Sequence, residues 1–387
     1  MLNIGVIGYG DRISAIVDIM LNYKLGVRIA AIADIELDKV RAKLEKRDID
    51  VATVSLYTVA DEMLAKESLD GVLIGTRCSL HTTMALKVMA RNLPLYLEKP
   101  VATNLVDLEL LAEANKKSTS EVVVSFPLRL STIVTLVKQV IDSGRLGAIE
   151  HVQAVNNVPY GSAAYFHSWY RDVEETGGMF LQKATHDLDY INYLLGIQPV
   201  SICAVKSKRV FDGRYPAGKR CAECEEYETC PESPFIRQHV MRQQSSNKDW
   251  QCAYGVDAGN EDSGSALIVY ETGMHVSYSQ NFYVKNSAAV RGARLIGEKG
   301  TLAFDWYKDE IKIAMHDSLR TEVLKMNSGD GGHGGGDEVL CYNFINIMRG
   351  KETSKAPLDA GILSALMCVR ARESAETETF RRIAFQE

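Results

Sequence analysis

The chain opens Leu2-Asn3-Ile4-Gly5-Val6-Ile7-Gly8-Tyr9-Gly10, an apolar run that stops on glycines, and Ile13 to Leu21 continues with helical periodicity. Few folds begin this way. A short apolar run, a glycine turn and a helix are the first strand and crossover of a buried parallel sheet. Further apolar runs follow at Val27 to Ala33, Gly71 to Gly75 and Leu93 to Leu97, with helical patterns at Asp38 to Lys46 and His81 to Arg91. Strands alternating with helices predict an α/β doubly wound parallel sheet of the Rossmann type.

Gly8 and Gly10 stand at the first two positions of a dinucleotide fingerprint, where a missing side chain lets backbone N–H groups approach a pyrophosphate. Asp11, Arg12 and Ile13 complete the turn into the helix, with Ile13 where a third glycine is usual. Asp34 ends the second strand and is placed to accept hydrogen bonds from ribose hydroxyls. A carboxylate there repels a 2′-phosphate, which favours NAD over NADP; the competing reading of Asp34 is a helix N-cap. Thr76 falls at the carboxyl edge of the third run, and His81 opens the next helix, either lining a nicotinamide pocket or simply packed in the helix.

At 387 residues the chain predicts two domains. A net charge of −6 argues against nucleic acid or an anionic membrane as partner. No apolar run reaches membrane-spanning length, and the N-terminus reads as a strand and not a signal peptide; a cytoplasmic location is the expectation.

Asp70-Gly71-Val72-Leu73-Ile74 and Leu95-Tyr96-Leu97-Glu98-Lys99-Pro100, followed by Gly177-Gly178 leading to His186 and by Gly292 to Gly300, resemble the Gfo/Idh/MocA family, the glucose–fructose oxidoreductase and inositol dehydrogenase group. The resemblance runs through nearly the whole chain in the family's order. It implies an NAD-binding Rossmann domain over 1–122 and, over 123–387, an α+β domain with a large, open, mostly antiparallel sheet. Val152 to Val155, Ala266 to Tyr270 and Met274 to Tyr278 read as strands on their own, and Asp337 to Arg349 and Asp359 to Glu376 as helices. It also implies a homo-oligomer, dimer or tetramer. The implied activity is hydride transfer between NAD and a secondary hydroxyl of a sugar, cyclic polyol or sugar derivative. Two alternatives are an NAD-retaining glycosidase working by transient oxidation and elimination, and a non-catalytic NAD-binding sensor.

Such chemistry needs a group to take the hydroxyl proton. Lys99 suits this if desolvation or a nearby cation lowers its pKa, and Pro100 keeps its backbone extended. Glu98 and Lys99 also border the cofactor site. By the resemblance, His186 faces Lys99 across the interdomain cleft, with Asp187 or Asp189 available to orient the imidazole. The family often has an acid four residues before this histidine; here Gln182 can bind a hydroxyl but cannot titrate. Lys183 beside it is placed to face substrate and to lower the pKa of Lys99. Arg129, Trp169 and Arg171 offer hydrogen bonds and an aromatic face to a carbohydrate, with core packing the other reading for Trp169. Ser328 to Asp337 is rich in glycine around His333, which predicts a loop whose backbone passes close to a ligand.

Four of the eight cysteines, Cys221, Cys224, Cys230 and Cys252, fall in or at the end of a segment, Lys206 to Gln251, that lacks sheet or helix periodicity and reads as an insertion. Cys-X2-Cys-X5-Cys with a distant fourth thiol suits a structural tetrahedral zinc, and the same ligands can hold an iron–sulfur cluster. His239 is an alternative fourth ligand; a disulfide and unligated thiols stay open.

Overall fold

The computed structural model describes residues 1–241, 250–326 and 332–386. They form two compact units. The first contains Met1–Leu136, Leu188–Tyr193 and, within the described residues, 332–366. It thus runs past the expected boundary at 122 and recovers two later segments.

Its sheet has six parallel strands: β1 (Leu2–Ile7), β2 (Val27–Ala33), β3 (Ser55–Tyr57), β4 (Gly71–Ile74), β5 (Leu95–Leu97) and β6 (Val122–Val124). The order β3-β2-β1-β4-β5-β6 is the Rossmann order. β4 to β6 are buried along their whole length because helices cover both faces, which explains their unbroken apolar runs. β3 escapes the sequence pattern because it is a three-residue edge strand without alternation. The late helix Gly336–Met348 belongs to this unit for a packing reason: its Phe344 ring meets Tyr96 of β5 edge-on, with centroids 5.8 Å apart. Met348 of the same helix fills the space beside Gly71, where an added Cβ would lie 2.5 Å from its sulfur.

The second unit is built on nine strands: β7 (Ile149–Asn157), β8 (Pro199–Ser207), β9 (Ser263–Tyr270), β10 (His275–Asn281), β11 (Val290–Gly297), β12 (Gly300–Asp305), β13 (Glu310–Met315), β14 (Thr321–Lys325) and β15 (Arg381–Arg382). Their order is β14-β13-β12-β11-β7-β10-β9-β8-β15, antiparallel except for β7 beside β10. One face is buried, through Val152, Ile268, Val276 and Leu295. The alternate residues, among them Gln153, Leu267 and Arg294, line an open groove of about 730 Å³ on the other face. Half-burial of this kind is why these strands alternate in sequence.

Between β8 and β9 lies the predicted insertion, with a short helix at Pro234–His239. It is anchored on an apolar cluster of Phe166, Met179, Phe211 and Phe282. No helix among the described residues is long and apolar enough to cross a membrane.

Candidate active site

In the first unit, β1 delivers Gly8 to Gly10 to the start of the helix Asp11–Asn22. Gly8 has φ +77°, and a Cβ there would lie 2.8 Å from the backbone of Thr76, so this position requires glycine. Gly10 caps the helix with no side-chain hydrogen bond, leaving the first-turn N–H groups to a ligand. Ile13, at the incomplete fingerprint position, is fully buried against Gly75. The smallness normally supplied by a third glycine is supplied across the turn. The cradle therefore fits a dinucleotide pyrophosphate.

Asp34 ties this loop to the end of β2. Its Oδ2 accepts from the Tyr9 N–H at 2.7 Å and its Oδ1 from the Glu36 N–H at 2.9 Å. The following helix is capped by Glu36, so Asp34 is not its N-cap. Asp11 pairs with Lys43 at 2.7 Å, and that hydrogen bond lowers the Asp11 pKa. Arg12 turns inward to Glu98 at 3.2 Å, to Asp337 at 2.5 Å and to Ser125 Oγ at 3.3 Å.

Glu98 and Lys99 follow β5. Glu98 is buried and accepts from Arg12 and, at 3.0 Å, from Ser125. Lys99 is half-buried. His81, 2% exposed, places Nδ1 2.7 Å from the Pro100 carbonyl and Nε2 3.2 Å from that of Thr76. Burial lowers its pKa and favours the neutral ring. A neutral ring carries one N–H and donates to only one of these carbonyls, and His81 is buried between the Lys99-Pro100 turn and the end of β4.

In the second unit a π-helical turn, Phe180–Ala184, runs into the helix Thr185–Leu195, whose residues Leu188–Tyr193 belong to the first unit. Such turns concentrate at functional sites. Gln182, Lys183 and His186 all lie here and are buried. Lys183 donates to Tyr160 Oη at 2.6 Å. Asp187 is fully buried and accepts from Asn156 at 2.6 Å, Tyr278 Oη at 2.9 Å and both Nε and Nη2 of Arg291. Those four bonds commit Asp187 elsewhere than the neighbouring imidazole. Tyr160, Tyr278 and Arg291 carried no motif in the sequence.

Several expected substrate contacts are committed to other partners. Arg129 is buried in a forked ion pair with Asp189, at 2.9 Å through Nε, and donates to the Lys355 carbonyl at 3.2 Å. This also removes Asp189 from His186. Arg171 is buried and paired with Asp257 at 2.5 Å. Trp169 stacks on Tyr170 with centroids 3.8 Å apart. His333, with φ +54°, sets Nδ1 2.8 Å from Asp337. Of the glycine-rich loop, 328–331 lie outside the described residues. Gly336 packs on the protein backbone: a Cβ there would meet the Pro127 carbonyl oxygen at 1.9 Å.

The zinc expectation is not supported. Cys221, Cys224, Cys230 and Cys252 line one small cavity with Tyr215 and Tyr227. Yet among the described residues no group of three or more His, Cys, Asp or Glu is arranged to hold a metal ion.

A Rossmann sheet with a bare phosphate cradle, an acid after β2 and a lysine after β5 defines a nucleotide-dependent oxidoreductase. The model of the oxidoreductase family with an NAD-binding Rossmann fold matches residues 2–126, and that of the GFO/IDH/MocA C-terminal domain matches 134–303. The chain belongs to the GFO/IDH/MocA oxidoreductase family. It is 26% identical to the Bacillus subtilis protein YteT over 327 residues, covering 74% of each chain. It is 25% identical to myo-inositol 2-dehydrogenase of Thermotoga maritima, with 50% of this chain and 55% of that one covered. The chain thus spans about half the length of that inositol dehydrogenase. In fold it is similar to a levoglucosan dehydrogenase solved with NADH and levoglucosan, at a TM-score of 0.76, 17% identity and 99% coverage of both chains.

Proposed function

We propose that this protein oxidises a secondary hydroxyl of a sugar, cyclic polyol or sugar derivative in an NAD-dependent reaction. The observation that carries the reading is Lys99, half-buried at the carboxyl edge of a parallel sheet whose first turn forms a dinucleotide cradle. The names of the relatives, inositol and levoglucosan dehydrogenases, support the substrate class. NAD, when bound, supplies the hydride acceptor. Gly8, Gly10 and the first turn of the Asp11–Asn22 helix would hold its phosphates, and Asp34 its ribose. Lys99 and His186 share the acid–base work at the hydroxyl.

The test is a screen of sugars, polyols and glycosides that follows NADH absorbance. The expected result is NADH accumulation with at least one free polyol or sugar. Sugar release from a glycoside without net NADH would replace this reading with the glycosidase one. Lys99→Ala should lower kcat by roughly 10²- to 10⁴-fold while NAD affinity holds; unchanged turnover would remove the lysine from the mechanism. The open face of the second sheet, with Val205 and Leu267 exposed, is the surface this reading gives to a second copy of the chain. Light scattering on the purified protein reads the oligomeric state.

A further inference from the structure

Lys183 is 5% exposed. A buried ammonium needs a partner. Its Nζ donates to Tyr160 Oη at 2.6 Å and lies 4.9 Å from the Tyr160 ring centroid and 5.9 Å from that of Tyr165. Tyr160 stands between β7 and the short helix Gly161–Tyr165, and it is 43% exposed. Lys183 precedes His186 by three residues on one continuous helical stretch, so the dyad and the histidine share one neighbourhood.

The charges around the phenol come from several elements. Lys183 lies on the π-helical turn, Arg291 on β11, Asp187 on the His186 helix, Tyr165 on the adjoining helix and Tyr307 after β12. Burial opposes ionisation of Tyr160, but Lys183 and then Arg291 outweigh it, and the phenol sits below its ordinary pKa. Gln182, one residue from Lys183, cannot titrate. The second unit therefore lacks the acid expected at that position and has instead a phenol hydrogen-bonded to a buried lysine.

We propose that Tyr160, held by Lys183, contacts the substrate hydroxyl and serves as a proton-transfer group in place of the acid missing at Gln182. The proposal rests on the dehydrogenase reading above. In the oxidation direction the substrate O–H bond breaks and an O–H bond forms on the Tyr160 phenolate. The carbonyl π bond forms from the electrons of the broken O–H bond, and the C–H electron pair leaves with its hydrogen to the oxidised nicotinamide. In reduction the phenol returns the proton.

The first readout needs no turnover. Tyrosinate absorbance is followed with rising pH in the 387-residue chain, which has 17 tyrosines. One tyrosine should ionise below the rest. That transition should vanish in Tyr160→Phe, move to higher pH in Lys183→Met and return toward its original position in Lys183→Arg. Survival of the lowest transition in Tyr160→Phe overturns the proposal. The second readout uses whichever alcohol reduces NAD. Tyr160→Phe should lower kcat about 100-fold, with KM changed little. Lys183→Met should shift the rising limb of the pH–rate profile upward. An unchanged kcat and pH limb in Tyr160→Phe also overturns it. If the wild type reduces NAD with no alcohol, that failure belongs to the dehydrogenase reading, and the dyad stands or falls on the tyrosinate transition.

Discussion

Ile13 occupies the space that a side chain at Gly75 would need: an added Cβ there would stand 2.4 Å from the Ile13 Cβ. Gly75→Ala should therefore destabilise the first unit by roughly 1–3 kcal/mol through overpacking, and weaken NAD binding by moving the phosphate turn. Because the clash is with Cβ, adding Ile13→Ala should not rescue it. Urea unfolding and NAD titration read both effects. Wild-type stability in Gly75→Ala would mean that the turn adapts freely.

Asp34 holds two backbone N–H groups and is also the group proposed to hold the ribose. Asp34→Ala should raise the Kd for NAD at least about tenfold, since hydrogen bonds to a carboxylate contribute roughly 1.5–3 kcal/mol. It should also narrow the preference for NAD over NADP by removing the charge that repels a 2′-phosphate. Calorimetry with both nucleotides checks this. An unchanged NAD Kd would confine Asp34 to its tie with Tyr9.

The parts of this molecule that were readable in sequence are those set by neighbours along the chain. Gly8, Gly10 and Asp34 follow from strand–turn–helix order, and the alternation in β9 and β10 from half-burial. What escaped depends on partners far away in sequence. Arg129 reads as a free cation until Asp189, 60 residues on, closes around it. Tyr160 has no pattern of its own; its meaning comes from Lys183, 23 residues later. The late helix Gly336–Met348 joins the first unit through Phe344 and Met348, which pack on β5 and β4. The cysteine spacing points to thiols that line one cavity, but among the described residues no metal-holding arrangement is formed.

Asp337 gives a pH signature. Burial opposes its ionisation, yet His333 and Arg12 hold its pKa down at about 2, against an ordinary 3.8. A depressed folded pKa means stability that is complete above about pH 4 and lost as pH falls toward about 2, on the order of 2 kcal/mol in all. Asp337→Asn should thus be less stable than wild type at pH 7 by roughly this amount, and the gap should close as pH falls from about 4 to about 2. Urea midpoints at several pH values measure it. A gap independent of pH would place the effect in packing and not in the charge.

The buried fork of Arg129 on Asp189 separates a structural role from a substrate one. Removing the guanidinium leaves a carboxylate that is 2% exposed, so Arg129→Ala should cost about 3–5 kcal/mol of stability at neutral pH. Lysine cannot reproduce the fork, and Arg129→Lys should recover little. Burial already pushes the Asp189 carboxyl up even beside Arg129. Without the arginine its folded pKa rises further above the unfolded value. A raised folded pKa contributes stability at low pH that disappears as pH rises through it. The Arg129→Ala variant should accordingly fall furthest behind wild type at pH 8 and least at pH 5. Denaturation midpoints across that range decide the matter. Unaltered stability with a raised KM for the sugar or polyol would return Arg129 to the substrate.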